Sequence, residues 1–380
     1  MTTPNLRKHI VGLIATAIGF ACLYAMLAWL VPGHLMHREM FTLGEGWPTK
    51  PGKLTLLIGL IATAVGAVLR ALRLPRWVAY PAAGATMLLL ACHACQLRGE
   101  WLKMPDLDNE RYYAADAAAW QGDWQRVQSL TREEQDSRLL SYYHYLSLAH
   151  QGRLADSLFA WSQPKVDDLF YPIDEHENYA TITAASEVWW WVNDLTMAEH
   201  ATMLGMIFSP GHTGRRPLQR LYEINLASGN RASAQKFARI LNIEDVMPEA
   251  SDSEPKVADS DALRLSGQYG LMLRSTLERN PKNLPALEYL LCLDLVRKDL
   301  NGFRQDFGQW GWTHPSHTFQ EALLILMDAN PELREPWHDY IDASTYHDFV
   351  QFRQQCGPKP KADRVSAYRH TYWYYFLFAQ

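Results

Sequence analysis

Few residues in this chain have both the type and the spacing for chemistry. His314 and His317 flank Pro315 and Ser316, and Glu321 follows. If a helix begins at about Ser316, these three could supply ligands to one metal ion. The zincin signature H-E-x-x-H is absent, however, and loop histidines beside a helix start are common. His34 and His37, before Glu39, have a similar spacing. Cys92 and Cys95 form a C-x-x-C, a spacing used in redox and metal sites. No second pair accompanies them, and no His follows Cys95 as haem attachment would need. Leu89-Leu90-Ala91-Cys92 has the look of a lipidation box, but two apolar segments precede it, so small apolar packing is the simpler reading. Asp174, Glu175, His176 and Glu177 read as a solvated acidic turn. Trp189, Trp190 and Trp191 are consecutive, and on a helix they spread over about 200°. Two can be buried between neighbours, which leaves one aromatic as a binding anchor for a peptide or sugar.

The wider search for catalytic signatures is negative. There is no G-x-x-x-x-G-K-[ST], no G-x-S-x-G and no ordered G-x-G-x-x-G after a strand. Paired carboxylates occur everywhere and discriminate nothing. The candidate set is therefore five partner-binding residues, Trp189, Trp190, Trp191, His314 and His317. No catalytic, cofactor or metal site is assigned, and the chain is not expected to be an enzyme.

The elements that would position these residues divide at about residue 97. Before it lie three apolar segments, at about 10–31, 54–74 and 77–96. The first runs 22 residues without a charge, long enough to span a hydrocarbon core of roughly 30 Å. It exceeds a signal-peptide core and has no A-x-A-like site after it, so it reads as an uncleaved anchor. The second spans if Arg70 snorkels, and Ala62 with Gly66 suits close helix packing. Pro81 falls near the start of the third, where a missing N–H costs little. Apart from Arg70 and Arg73 at the end of the second, the spans hold no Asp, Glu, Lys or Arg, which argues for an anchor rather than a transporter.

Charge gives the boundary a direction. Residues 1–96 hold eight Lys/Arg and two acids, a net of +6, which leaves 28 basic and 39 acidic residues afterwards, a net of −11. Arg7 and Lys8 precede the first span, and Arg70, Arg73 and Arg76 crowd the end of the second and its short link to the third. The positive-inside rule puts both sites in the cytoplasm and the 97–380 part on the opposite, periplasmic face of an inner membrane. An acidic soluble part excludes nucleic acid, whose phosphates demand a basic footprint. The five cysteines form no disulfide framework, since only Cys292 and Cys356 lie outside the apolar segments.

From about residue 108 the pattern is helix, short turn, helix. Leu139, Tyr142, Leu146 and Ala149 lead to a break at Gln151-Gly152-Arg153, after which Leu154, Leu158 and Trp161 resume the helical spacing. Similar units turn at Gly122, at Asn193-Asp194, at Ser228-Gly229-Asn230 and at Lys298-Asp299. These turns are spaced near 34 residues or twice that, the period of a tetratricopeptide hairpin. Such hairpins bury their apolar faces only by stacking, so an all-α solenoid is expected. Asn283 with Pro285 reads as a helix start. Residues 244–261 are acidic, rich in Ser and Pro, and read as an inserted loop, with Gly267 and Gly270 weakening any helix just after it.

The stretches "YYHYLSLAHQGRLADSLF", "RLYEINLASGNRASAQKFARIL", "NPKNLPALEYLLCLDLVRKDLNGF" and the terminal "TYWYYF" carry a family resemblance. Across most of residues 108–380 the chain resembles membrane-anchored proteins from Bacteroidetes with tetratricopeptide-like soluble parts, a family of unknown function. The resemblance implies a helical-repeat architecture and a bacterial envelope setting, and no activity. The functional expectation is a membrane-anchored scaffold for a protein partner, with no cofactor. The alternative is an envelope enzyme or glycan-handling factor with a His-based site.

Overall fold

A computed structural model describes residues 107–132, 137–173, 179–208, 212, 214–243, 267–312, 314–358 and 360–379. The chain divides into two units, Met1–Ala114 and Ala115–Gln380, and the described residues fall almost wholly in the second. The expected spans at 10–31, 54–74 and 77–96 lie outside the described residues, as do His34, His37, Cys92, Cys95, residues 174–177 and the acidic stretch 244–261. Among the described residues no helix is long and apolar enough to cross a membrane.

The described part is all-α, and its regular elements are helices alone. In chain order they are α1 (Leu107–Trp120), α2 (Trp124–Thr131), α3 (Arg138–His150), α4 (Leu154–Ser157), α5 (Val166–Leu169), α6 (Tyr179–Trp191), α7 (Leu195–Phe208) and α8 (Arg215–Ala227). There follow α9 (Arg231–Leu241), α10 (Tyr269–Arg279), α11 (Leu284–Val296), α12 (Leu300–Trp310), α13 (His317–Ala329), α14 (Arg334–Trp337), α15 (Ala343–Cys356) and α16 (Tyr372–Phe378). Short 3₁₀ turns, Pro331–Leu333, His338–Tyr340 and Ala362–Tyr368, fill the C-terminal links.

One turn design joins the hairpins. Gly122, Gly152, Asn193, Gly229 and Lys298 have φ of +73°, +65°, +58°, +76° and +56°. A left-handed residue at this point lets the next N–H reach back five residues and satisfy a carbonyl that the helix end leaves open. The N–H groups of Asp123, Arg153, Asp194 and Asp299 do this, on the carbonyls of Ala118, Leu148, Trp189 and Asp294 at 2.8–2.9 Å. The same residue then caps the following helix in most cases. Asp123, Asp194, Asn230 and Asp299 each accept an N–H three residues on, at 2.9–3.2 Å. All five expected turns are therefore real. The expected helix starts at Asn283 and Ser316 are real too, with side chains capping the N–H groups of Ala286 and Phe319.

One sequence expectation needs correction. The helix expected through Leu154, Leu158 and Trp161 stops at Ser157. Beyond it Trp161 turns back to stack on His144 with ring centroids 4.0 Å apart, and its Nε1–H donates to the Arg132 carbonyl. That pull towards α3 outweighs the helical spacing. Gly270, expected to weaken any helix after the acidic stretch, lies buried in the first turn of α10. A Cβ there would stand 3.4 Å from the Arg274 guanidinium and 3.8 Å from Leu293, ordinary contact distances, so the packing of α10 on α11 does not itself require a glycine.

The truncated α4 has a structural consequence. Nearly every residue of α3 and α11 is buried, on all faces of each helix. The space that a full second helix would occupy is filled by elements far along the chain. The Ala155 N–H donates to Glu288 on α11, and the His317 N–H donates to Asp156. Tyr375 on α16 places its hydroxyl on the carbonyls of Pro164 and Val296. The hairpins thus do not stack in chain order alone. The terminal aromatic run forms a cover over α13, where Trp373 packs with Leu324, Phe349, Phe352 and Val365.

Candidate partner-binding site

Each aromatic of the predicted trio meets a different environment. Trp189 is buried and packs on Phe170 and Tyr269, with centroids 5.4 and 6.0 Å away. Trp190 and Trp191 are partly exposed. Arg220 lies 4.7 Å over the Trp190 ring, and Trp191 lies 3.7 Å from His150. The other face of His150 is stacked by Trp124, also at 3.7 Å. Burial depresses the His150 imidazole to about 4, with Glu187 raising it and Arg220 lowering it, so the stacked ring is neutral at physiological pH. Trp120, His150 and Trp191 all stand two residues before a left-handed turn residue. Aligning the hairpin turns in sequence would have revealed this aromatic row.

Beneath that row lies a buried ionic network. Arg216, with a fully buried side chain, donates to Asp116 at 2.9 and 3.3 Å and to Glu187 at 3.0 Å. Arg220 donates to Glu187 at 2.8 Å and to Glu223 at 2.7 Å. The Trp120 ring covers both guanidiniums, at 4.0 and 4.7 Å. Burial would raise the Glu187 carboxyl, but Arg216 and Arg220 overcome this and hold it below its ordinary value. Both arginines are committed to internal partners, so the network is a fastening among α1, α6 and α8.

The predicted histidines sit elsewhere. His314 is exposed, and His317 opens α13 with its Nδ1 3.3 Å from Glu321. Glu321 itself is buried. Its Oε2 accepts the Tyr372 N–H at 2.6 Å, and its backbone carbonyl accepts the Trp373 indole N–H at 2.9 Å. Burial raises its carboxyl to about 8 against the opposing Tyr372 bond. Glu288 is raised to about 7, again by burial. Perturbed carboxyls of this kind often mark active sites. Here each one joins a backbone N–H of a distant segment, a positioning role. Asp294 is raised to about 8 by burial and by the adjacent Asp306, which is itself held by Arg274 at 2.7 Å. Among the described residues no three His, Cys, Asp or Glu side chains are grouped to hold a metal ion. Cys292 and Cys356 are buried free thiols.

Sequence reasoning missed the concave surface. A cleft of about 660 Å³ lies between α13 and α15 and is bounded by the link that carries Arg334, His338 and Ile341. Leu324, Phe349 and Val350 contribute apolar wall, and Tyr346 is 56% exposed beside them. Its volume is in the range of ligand-binding clefts. The available signal was the lining face of α15, residues 343, 346, 350 and 353, at helical spacing.

The comparisons with known proteins fix the family. A family of unknown function, DUF6057, matches residues 1–243 and 245–379. The chain belongs to that family. The match takes in the apolar N-terminal segments as well as the helical part. No curated protein and no solved structure matches the chain.

Proposed function

We propose that the protein is a membrane-anchored helical-repeat scaffold for protein–protein interaction in the bacterial cell envelope, without catalysis of its own. On this reading the hairpins are tetratricopeptide-like units, displayed on the periplasmic face of the inner membrane by spans at about 10–31, 54–74 and 77–96. The observation that carries the reading is the recurrent turn. Five times a left-handed residue at 122, 152, 193, 229 or 298 ends one helix and leads into the next. Repeated hairpins that bury their faces on one another are a means of building surface for a partner. The engagement of Glu288 and Glu321 with backbone N–H groups supports the non-catalytic part of the reading. The uncharged runs and basic links of residues 1–96 support the anchor and its orientation.

Crosslinking in intact cells, followed by purification of the tagged full-length chain, tests the scaffold. A specific protein partner is expected, and recovery of lipids or self-contacts alone refutes it. A compartment-sensitive reporter fused after Gln380 tests the orientation, with periplasmic signal expected.

A further inference from the structure

We propose that the cleft between α13 and α15 is a docking groove for an acidic, amphipathic helical segment of a partner protein. The assignment rests on the scaffold reading. It adds the place of contact and the chemistry of the guest.

Length is the first argument. Ala343, Tyr346, Val350 and Arg353 of α15 all line the cleft. Their spacing is that of one helix face, running for about 15 Å at 1.5 Å per residue. A groove of that length accommodates two to three turns of a guest helix, whose apolar residues at i, i+3 or i+4 and i+7 would meet the wall. Tyr346, 56% exposed, stands ready to be covered by such a stripe.

Charge selects among guests. Residues 331–342 carry four acids, Glu332, Glu335, Asp339 and Asp342, along with Arg334 and His338. Of these six, Arg334 and His338 are the ones that line the cleft. Arg353 faces them from α15, and its 2.9 Å contact with Asp328 leaves its side chain 60% exposed. The lining thus sets Arg334 and Arg353, with His338, against the single acid Asp328, a basic excess on the cleft wall of a protein of net −5. Arg334 is also ordered in advance, because its Nε–H donates to the Met327 carbonyl at 3.3 Å. Carboxylates flanking an apolar stripe complement such a rim, while a basic guest would be repelled. A long-chain carboxylate shares part of this chemistry but offers one anionic end, not charges spread along a whole helix face.

The test uses the full-length protein in detergent micelles and a displayed library of random peptides about 16 residues long. The expected winners are acidic, with apolar residues at helical spacing. A synthetic winner should lose at least tenfold in affinity for an Arg334→Glu/Arg353→Glu variant, and Tyr346→Ala should weaken it independently. Both variants alter exposed side chains, and their far-UV circular dichroism should match the parent. Winners that bind the charge-reversed variant as well as the parent would overturn the groove and leave the scaffold reading standing. Enrichment of basic peptides, or saturable oleate binding at the cleft without peptide enrichment, would also overturn it. Failure to enrich any peptide on either protein would count against both readings.

Discussion

Replacing Arg216 with methionine tests whether the buried network fastens the helices around it. Methionine keeps much of the apolar stem and removes the fork that holds Asp116 and Glu187. Glu187 retains Arg220 at 2.8 Å, so its loss is partial. Asp116 keeps the Tyr143 hydroxyl at 2.7 Å but loses its guanidinium partner in a site 1% exposed. Removing one member of a buried ion pair costs about 3–5 kcal/mol, since the remaining charge is left uncompensated. The retained bonds argue for the lower end, about 3 kcal/mol. For a unit of this size that corresponds to a fall in melting temperature of roughly 6–12 °C. Tryptophan fluorescence is the natural assay in thermal or urea unfolding of the full-length protein, because Trp120 covers Arg216 directly. The double variant Arg216→Met/Asp116→Asn should recover about half of the loss or more, because it removes the stranded charge. A single-variant loss below about 1 kcal/mol, or no recovery in the double variant, would refute the argument.

Further predictions concern local strain and titration. Gly152→Ala should destabilise by about 1–2 kcal/mol through the backbone alone. The residue has φ +65°, and an added Cβ would meet nothing within 4 Å, so a neutral result in urea unfolding would contradict the turn geometry. Glu321 has a folded value of about 8, above the ordinary 4.5. Its contribution to stability is therefore complete below pH 4.5 and is lost as pH rises towards 8. Glu321→Gln should remove that slope, seen by comparing urea midpoints at acidic and alkaline pH, and an unchanged slope would count against a buried neutral acid. His150 behaves in the opposite sense, with a folded value of about 4 against the ordinary 6.5. Its contribution is present above pH 6.5 and lost as pH falls towards 4, and His144 adds to the same loss. His150→Phe should keep an aromatic between Trp124 and Trp191 while flattening part of this acid limb, with His150 in the parent remaining neutral by NMR at pH 5.5.

Local grammar was the legible part of this protein. The turn at Gly122-Asp123 and its counterparts could be read because the left-handed residue and the capping side chain are adjacent in sequence, and their hydrogen bonds close within six residues. The helix starts at Asn283 and Ser316 were legible for the same reason. The fate of the tryptophan trio was only partly so. Geometry on one helix requires the rings to diverge, yet it cannot say that Arg220 will cover Trp190 or that His150 will meet Trp191. The residues that bring α4, α11, α13 and α16 together left no local trace. Glu288 looks like an ordinary helix glutamate in the sequence, and Glu321 stands out there only by its spacing from His314 and His317. They are buried because the short α4 leaves space that α11 and α13 fill, and their partners lie 133 and 51 residues away.

The sequence alone therefore determined the helical class, the place of each turn, the acidic balance after residue 97 and the apolar character of the segments before it. Those properties follow from composition and from interactions within a turn or two of helix. Tertiary structure decided which helices touch, which carboxyls lose their water and where a concave surface forms. These depend on the exact lengths and side-chain volumes of elements that meet across separations as different as 22 and 133 residues. The basic rim of the cleft is the clearest case, since Arg334, His338 and Arg353 are scattered among acids until α13 and α15 pack and turn them to one side.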